Sequence, residues 1–363
     1  MLHQPQEATD GLLVQQLVAA LCALPDVAAE VSSAQVPLPE RPAAHAVRID
    51  ARVAGRPVAI FVETRKAVYP RDVHQTLWWL KPLARQDGAH GSVALLAAAS
   101  LSPGAKALLR AEGVGYFDSG GSLYVPAAGA YICIDRPPPK AQASAMRSLF
   151  TGRRAQAIHA LLARREQWFG VKALAGLAGV SPATASQVLS ELERFEWVEV
   201  RGQGPRKERH LREPRALLDA WAGQVAAGRA PTLRHYYVPG LKADALVDEA
   251  AQAFEARNAV YAVSHEAAAQ RYAPYLSSIA QVRCRVLVAP QANAALADLG
   301  ARAVNAGANF VVIEAGSSAD LLFRERVGNA WLASPIHVYL DLLQGEGRAK
   351  EMAEHLRKVR IGC

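Results

Sequence analysis

Between Gly170 and Arg212 the apolar positions change their spacing twice. Val171, Leu174, Leu177 and Ala178 recur at helical intervals, and Gly179-Val180 then interrupts the run. Ser181 suits a helix N-cap, and Pro182 fits the first helical position, where its missing N–H costs nothing. The next helix places Ala185, Val188, Leu189 and Leu192 on one stripe. Its other face carries Ala183, Ser186, Gln187, Ser190 and Arg194. From Trp197 to Arg201 the pattern alternates as in a strand, Gly202-Gln203-Gly204-Pro205 turns the chain, and Arg206-Lys207-Glu208-Arg209-His210 leads back. Upstream, Arg153 to Glu166 reads as a helix that buries Ile158, Leu161 and Leu162.

This order of helices followed by a basic hairpin is the pattern of a winged helix-turn-helix. The alternative is a helical hairpin followed by a solvated charge run. The short first helix, the Ser-Pro entry and the short polar side chains on the outer face favour the first reading, because such side chains enter a major groove without blocking it.

On the N-terminal side, Leu12, Leu13, Leu17 and Leu21 give a helix over 7–25 its apolar face. Pro37, Pro39 and Pro42 mark 31–45 as a loop. Two strands follow, Ala46 to Val53 and Val58 to Glu63, with Ala54-Gly55-Arg56-Pro57 as the turn. A helix over 70–85, a buried strand over 92–98, a helix over 102–112 and short strands to Asp135 complete an α/β unit. Residues 136–146, with three successive prolines, read as a stiff linker. Beyond the hairpin come a helix over 214–225, an irregular to extended stretch over 231–239 and a second α/β unit. Its strands are Val260–Val263, Val282–Val288 and Phe310–Ile313, and its last helices start at Pro335 and Arg348. The expected fold class is a multidomain α/β (α+β) chain: residues 1–140, a winged helix over 147–213, and 214–363.

Charge sharpens the picture. The 363 residues hold 41 Lys and Arg against 33 Asp and Glu, a net charge of +8. Residues 147–215 alone contribute +6, with 13 basic and 7 acidic side chains. An excess this localised is the footprint of a nucleic-acid surface rather than of general solubility. Four scattered cysteines give no zinc or disulfide framework, and isolated thiols suit a reducing cytoplasm. No long apolar run predicts a membrane span, and the polar N-terminus lacks a signal-peptide pattern. No cofactor motif is present.

One constellation suggests different chemistry. Asp50 lies on the first strand of the N-terminal pair, and Glu63-Thr64-Arg65-Lys66 ends the second. This resembles the core of the restriction-endonuclease-like fold, an Asp followed by a strand carrying Glu-x-Lys. That resemblance implies Mg²⁺ held by Asp50 and Glu63 and a lysine that orients the attacking water. Here Arg65 stands at the lysine position and cannot act as a base at neutral pH, while Lys66 points to the opposite face. A nuclease-shaped domain without the reaction is therefore expected, and the sequence favours a binding protein over an enzyme. The alternative is a Mg²⁺-dependent DNA endonuclease using Asp50 and Glu63, with Arg65 and Lys66 beside them and the winged helix as its targeting module. In the C-terminal unit, Asp320, Glu325, His337 and Asp341 are polar residues without a visible catalytic set.

The segment Trp331-Leu332-Ala333-Ser334-Pro335-Ile336-His337-Val338-Tyr339-Leu340-Asp341-Leu342-Leu343, with Gly347-Arg348 and Ala353-Glu354-His355-Leu356-Arg357, resembles the end of the abortive-infection type IV (AbiE-type) antitoxins. Val62-Glu63, Arg71-Asp72-Val73 and Gly113-Val114-Gly115-Tyr116-Phe117-Asp118 before Gly120-Gly121 are similar to that family too. The resemblance implies a winged-helix transcriptional regulator, in some relatives paired with a nucleotidyltransferase-like toxin. For binding double-stranded DNA, Ser186, Gln187 and Ser190 are expected at base edges. Thr184 is expected on phosphate and Ala183 near a thymine methyl. Arg201, Arg206, Lys207 and Arg209 are expected on the wing against phosphate or the minor groove. A homodimer is the expected assembly, because winged-helix proteins usually read symmetric sites.

Overall fold

Thirteen-residue strands that turn on two residues organise the first part of the chain. The computed structural model describes residues 4–38, 41–86, 92–127, 130–225, 232–276 and 278–363. Contacts divide it into two compact units, Met1–Met146 with Glu191–Glu196, and Arg147–Ser190 with Trp197–Cys363.

The first unit runs α1 (Gln4–Cys22), β1 (Val27–Leu38), β2 (Arg41–Val53), β3 (Arg56–Val68), α2 (Pro70–Gln86), β4 (Val93–Leu101), α3 (Pro103–Ala111), β5 (Gly115–Asp118), β6 (Leu123–Ala127) and β7 (Ala130–Ile134). The strands form one sheet in sequence order. β3, β4 and β5 are parallel, and the flanking pairs are antiparallel. Leu17 and Leu21 of α1 pack with Ile49, Ile60, Leu95 and Phe117 on one face. Val73, Leu80, Ala105 and Leu109 pack with Leu96 and Tyr116 on the other. Leu12, expected inward, is 53% exposed, and Val14 takes the core position instead.

The β2–β3 turn is tighter than the sequence suggested. Ala54 and Gly55 both have positive φ, at 48° and 80°, and Val53 pairs directly with Arg56. That is the two-residue hairpin whose twist matches the flanking strands. The expected loop over 31–45 is instead largely strand, with Pro39 outside the described residues. Pro37 is tolerated because β1 is an edge strand whose ladder shifts register between Val31 and Gln35 and between Pro37 and Leu38. The expected linker also shortens. Only residues 136–139 stay extended, and Lys140–Leu149 forms α4, since Lys-Ala-Gln-Ala-Ser-Ala-Met is good helix-forming sequence.

The second unit opens with α5 (Gly152–Ala163), β8 (Trp168–Phe169), α6 (Val171–Ala178), α7 (Pro182–Arg194, whose residues from Glu191 on group with the first unit), β9 (Val198–Arg201), β10 (Glu208–Leu211) and α8 (Pro214–Val225). A mixed sheet follows, built from β11 (Leu233–Tyr237), α9 (Ala243–Ala256), β12 (Tyr261–Ser264), α10 (His265–Tyr272), β13 (Val282–Leu287), α11 (Pro290–Asp298), β14 (Arg302–Ala303), β15 (Phe310–Ala315), β16 (Glu325–Val327) and β17 (Ala330–Leu332), with α12 (Pro335–Leu342) and α13 (Ala349–Leu356) after it. Its strand order is β14-β11-β15-β13-β12-β17-β16. β11 lies in the stretch expected to be irregular to extended. Its residues alternate between exposed and partly buried, and it is held by pairing with β15 rather than by an apolar run of its own. Among the described residues, no helix is long and apolar enough to cross a membrane.

Candidate nucleic-acid interface

Apolar spacing builds the scaffold first. Ala185, Val188, Leu189 and Leu192 of α7 are fully buried, as are Ile158 and Leu161 of α5 and Leu174 of α6. The turn between α6 and α7 has the features its residues predict. Gly179 closes α6 in the left-handed region at φ 63°, where an L side chain is strained. Ser181 Oγ accepts the Thr184 N–H at 3.1 Å, which satisfies one of the orphan donors at the start of α7. Arg153 Nη1 reaches from α5 to the Gly179 carbonyl at 3.0 Å and ties the turn to the first helix.

With its apolar stripe inward, α7 turns Ala183, Gln187 and Ser190 to solvent, and Thr184 and Ser186 are partly buried. These are the five residues expected on the reading face, and the structure gathers them on one helix surface. The Thr184 hydroxyl already lies 2.9 Å from Ser181 Oγ, so it serves the cap as well. Gln187 is also engaged, because Arg154 Nη2 donates to its Oε1 at 3.1 Å.

The hairpin forms a three-stranded sheet in the order β8-β10-β9. Gly202, at φ 71°, cannot be replaced without strain, since a Cβ there would lie 2.5 Å from the Arg206 carbonyl oxygen. Arg201 is exposed but held, with Nε and Nη2 at 2.8 and 2.7 Å from Glu208 Oε2. Its guanidinium also sits 4.3 Å from the centre of the Trp168 ring, and Trp168 lies 5.2 Å from the ring of His210. Arg206 is exposed at the tip and Lys207 is partly buried.

Arg209 departs from the expectation. It is buried, and its register places it opposite Val200 and Phe169 and on the same face as Leu211. Period two puts Arg209 on the face of Leu211 and Val198 but does not by itself bury it, since Val200 on that face is 44% exposed. Trp168, by contrast, was missed in the sequence. A two-residue strand has no alternation to read, and only its place between two helices hints at it.

The nuclease-like pair is built differently. Asp50 pairs with Ala59, so Glu63 lies four residues farther along β3, roughly 13 Å away. Asp50 is ion-paired with Arg48 at 2.8 Å and is 45% exposed. Glu63 is buried, with Oε2 accepting from Trp79 Nε1 at 2.5 Å and Oε1 paired with Arg65 Nη2 at 2.5 Å. Lys66 is exposed. The two carboxylates do not converge, and both oxygens of Glu63 are already used by a ring N–H and a guanidinium. This donor set does not fit a Mg²⁺ ion, which needs hard oxygen ligands brought together. Among the described residues there is no group of three His, Cys, Asp or Glu that could hold a metal.

The C-terminal part contains a buried polar network that the sequence did not single out. Asp341 accepts from Arg285 Nε at 3.2 Å, from Arg285 Nη2 and from Ser264 Oγ, and His265 Nδ1 lies 3.8 Å from it. Burial alone would raise the Asp341 pKa, but the charges of Arg285 and His265 hold it at about 2. Nearby, His159 of α5 sits 2.6 Å from Ser334 Oγ and 4.2 Å, ring to ring, from His337. Burial pushes the His159 pKa well down, so the neutral ring can accept the Ser334 proton. Burial and the Arg285 charge push His337 down to about 4. Ser334 meanwhile caps α12 by accepting the His337 N–H at 3.2 Å. A helix of the three-helix unit is thus bonded directly to the C-terminal body. Both halves of that link lie far apart in the chain, so no local pattern could reveal it.

No curated protein and no solved structure matches this chain. A family model described as "Transcriptional regulator, AbiEi antitoxin, Type IV TA system" matches residues 210–361, less than half of the chain, beginning on β10 and running through the C-terminal sheet to the last helical turn.

Proposed function

We propose that the protein is a transcriptional regulator that binds double-stranded DNA in a sequence-specific manner through a winged helix. In this reading α7 enters the major groove and Ala183, Ser186, Gln187 and Ser190 face the bases. Arg201, Arg206 and Lys207 lie on the wing along the phosphates, and Arg209 is a core residue of the wing. The observation that carries the reading is the surface of α7: short polar side chains face outward above a fully buried apolar stripe, with a basic hairpin next in the chain. The match of 210–361 to an antitoxin-regulator family supports it independently, because it lies almost wholly outside this stretch. The C-terminal sheet then serves as the regulatory body. A nucleotidyltransferase-like toxin is the partner class that the family resemblance suggests, and a homodimer on a two-fold symmetric site is the expected assembly.

The test is a duplex gel-shift over a salt series, run with Mg²⁺ and with EDTA. The expected result is intact, shifted DNA in both buffers, with a log–log salt slope of about −3 to −5. A flat salt response would remove the wing from the interface. Cleavage that requires Mg²⁺ and is lost in Glu63→Ala would replace this reading with the endonuclease.

A further inference from the structure

An arginine that never needs to touch a base can decide which base its neighbour reads. Gln187 is exposed on α7, and Arg154 reaches it from α5, donating from Nη2 to the amide oxygen at 3.1 Å. Arg154 is itself braced, because its Nη1 donates to Ser148 Oγ at 3.0 Å. A guanidinium has only donors, so the atom of Gln187 facing it must be the carbonyl oxygen. The amide orientation is therefore set by chemistry rather than by choice. With Oε1 turned back onto α5, the Nε2 hydrogens are the group left for the groove.

We infer that Arg154 is a positioning residue that turns the Gln187 amide nitrogen toward the groove and makes it a reader of guanine. The inference rests on the reading of α7 as the groove helix. A free glutamine pairs with adenine in a bidentate manner, its oxygen accepting from N6 and its nitrogen donating to N7. That contact needs both ends of the amide side by side against the base. An amide whose oxygen is turned back onto Arg154 faces the groove with its nitrogen, so donation is favoured over that side-by-side contact, although the oxygen keeps a second lone pair. The nitrogen offers two N–H donors, which match the two acceptors, N7 and O6, that guanine shows in the major groove. The shortness of Ser186 and Ser190 on either side leaves room for a purine edge at Gln187.

The experiment is selection from a randomised duplex pool with the full chain, followed by competition gel-shifts at the enriched site. The wild type, Gln187→Ala and Arg154→Met are compared, each first checked for an unchanged melting temperature. The wild type is expected to prefer guanine over adenine about tenfold at one position of the half-site. Gln187→Ala erases the preference at that position only. Arg154→Met frees the amide and moves the preference to adenine, a change that loss of a phosphate contact or of packing would not produce. The inference is overturned if Arg154→Met keeps the wild-type guanine preference, or if the wild type prefers adenine where Gln187→Ala loses selectivity. Failure of the wild type to enrich any duplex would instead overturn the groove-helix reading itself.

Discussion

The outer face of α7 and the Glu63 end of β3 both present polar side chains that the sequence offers as functional, yet the fold treats them in opposite ways. On α7 the apolar stripe is spent on the core and Gln187 and Ser190 remain at the surface. On β3 the carboxylate is buried and each of its oxygens is consumed by a neighbour, Trp79 or Arg65. A site for a ligand keeps donors and acceptors facing outward; a structural polar group satisfies them internally, because an unpaired buried polar atom is costly. Asp341 is the extreme of the second kind, with Arg285 and Ser264 on a buried carboxylate.

The contrast can be broken most strongly at Asp341. Asp341→Asn leaves the Arg285 guanidinium buried without its counter-charge, and a loss of about 3–5 kcal/mol is expected in denaturant unfolding. An unchanged midpoint would show that the network is not structural.

Acid should produce an effect nearly as large. His337 is held neutral in the folded state with a pKa of about 4, below the ordinary histidine value of about 6.5. The folded state therefore binds fewer protons than the unfolded chain across that window. Stability is fully present above about pH 6.5 and falls as the pH drops toward 4, by on the order of 3 kcal/mol. His159 acts in the same direction. Below about pH 4 the depressed Asp341 carboxyl continues the loss down toward pH 2. Unfolding curves from pH 7 to 4 check this, and His337→Phe is expected to flatten the profile.

On the α7 side, Ser190→Glu places a negative charge where the phosphates and base acceptors would lie. Duplex affinity should drop on the order of 100-fold. Stability should move by less than about 0.5 kcal/mol, since the position is exposed. A comparable loss of stability would mean that Ser190 belongs to the internally satisfied class.

The smallest effect is expected at Glu63→Gln. It removes the ion pair with Arg65 but retains an acceptor for Trp79, at a cost of about 1–2 kcal/mol in thermal or chemical unfolding. DNA affinity should stay within about twofold of wild type. A large change in DNA binding would bring the first unit into the interface.

How much could be read in advance follows from the range of the forces involved. The four buried positions of α7, the Ser181 cap, the left-handed Gly179 and the glycine turn at Gly202 are local, and spacing and side-chain type suffice for them. Register with Leu211 gives the face of Arg209 but not its burial, since its partner Val200 is exposed. The strand over 31–38 was hidden because prolines were weighed without knowing that β1 would be an edge. Asp50 and Glu63 resembled a metal pair because the sequence shows their spacing but not their strand register.

The sequence by itself determined the order of helices and hairpin, the localised basic charge and the polar outer face of α7, because each depends on residues within a few positions of one another. Only the tertiary structure decided which polar groups remain available. Glu63 meets Trp79, Gln187 meets Arg154, His159 meets Ser334 and Asp341 meets Arg285 across 16, 33, 175 and 56 residues of chain. Hydrogen bonds and ion pairs act over a few ångströms, so their partners are known only once the chain has folded and brought distant segments together.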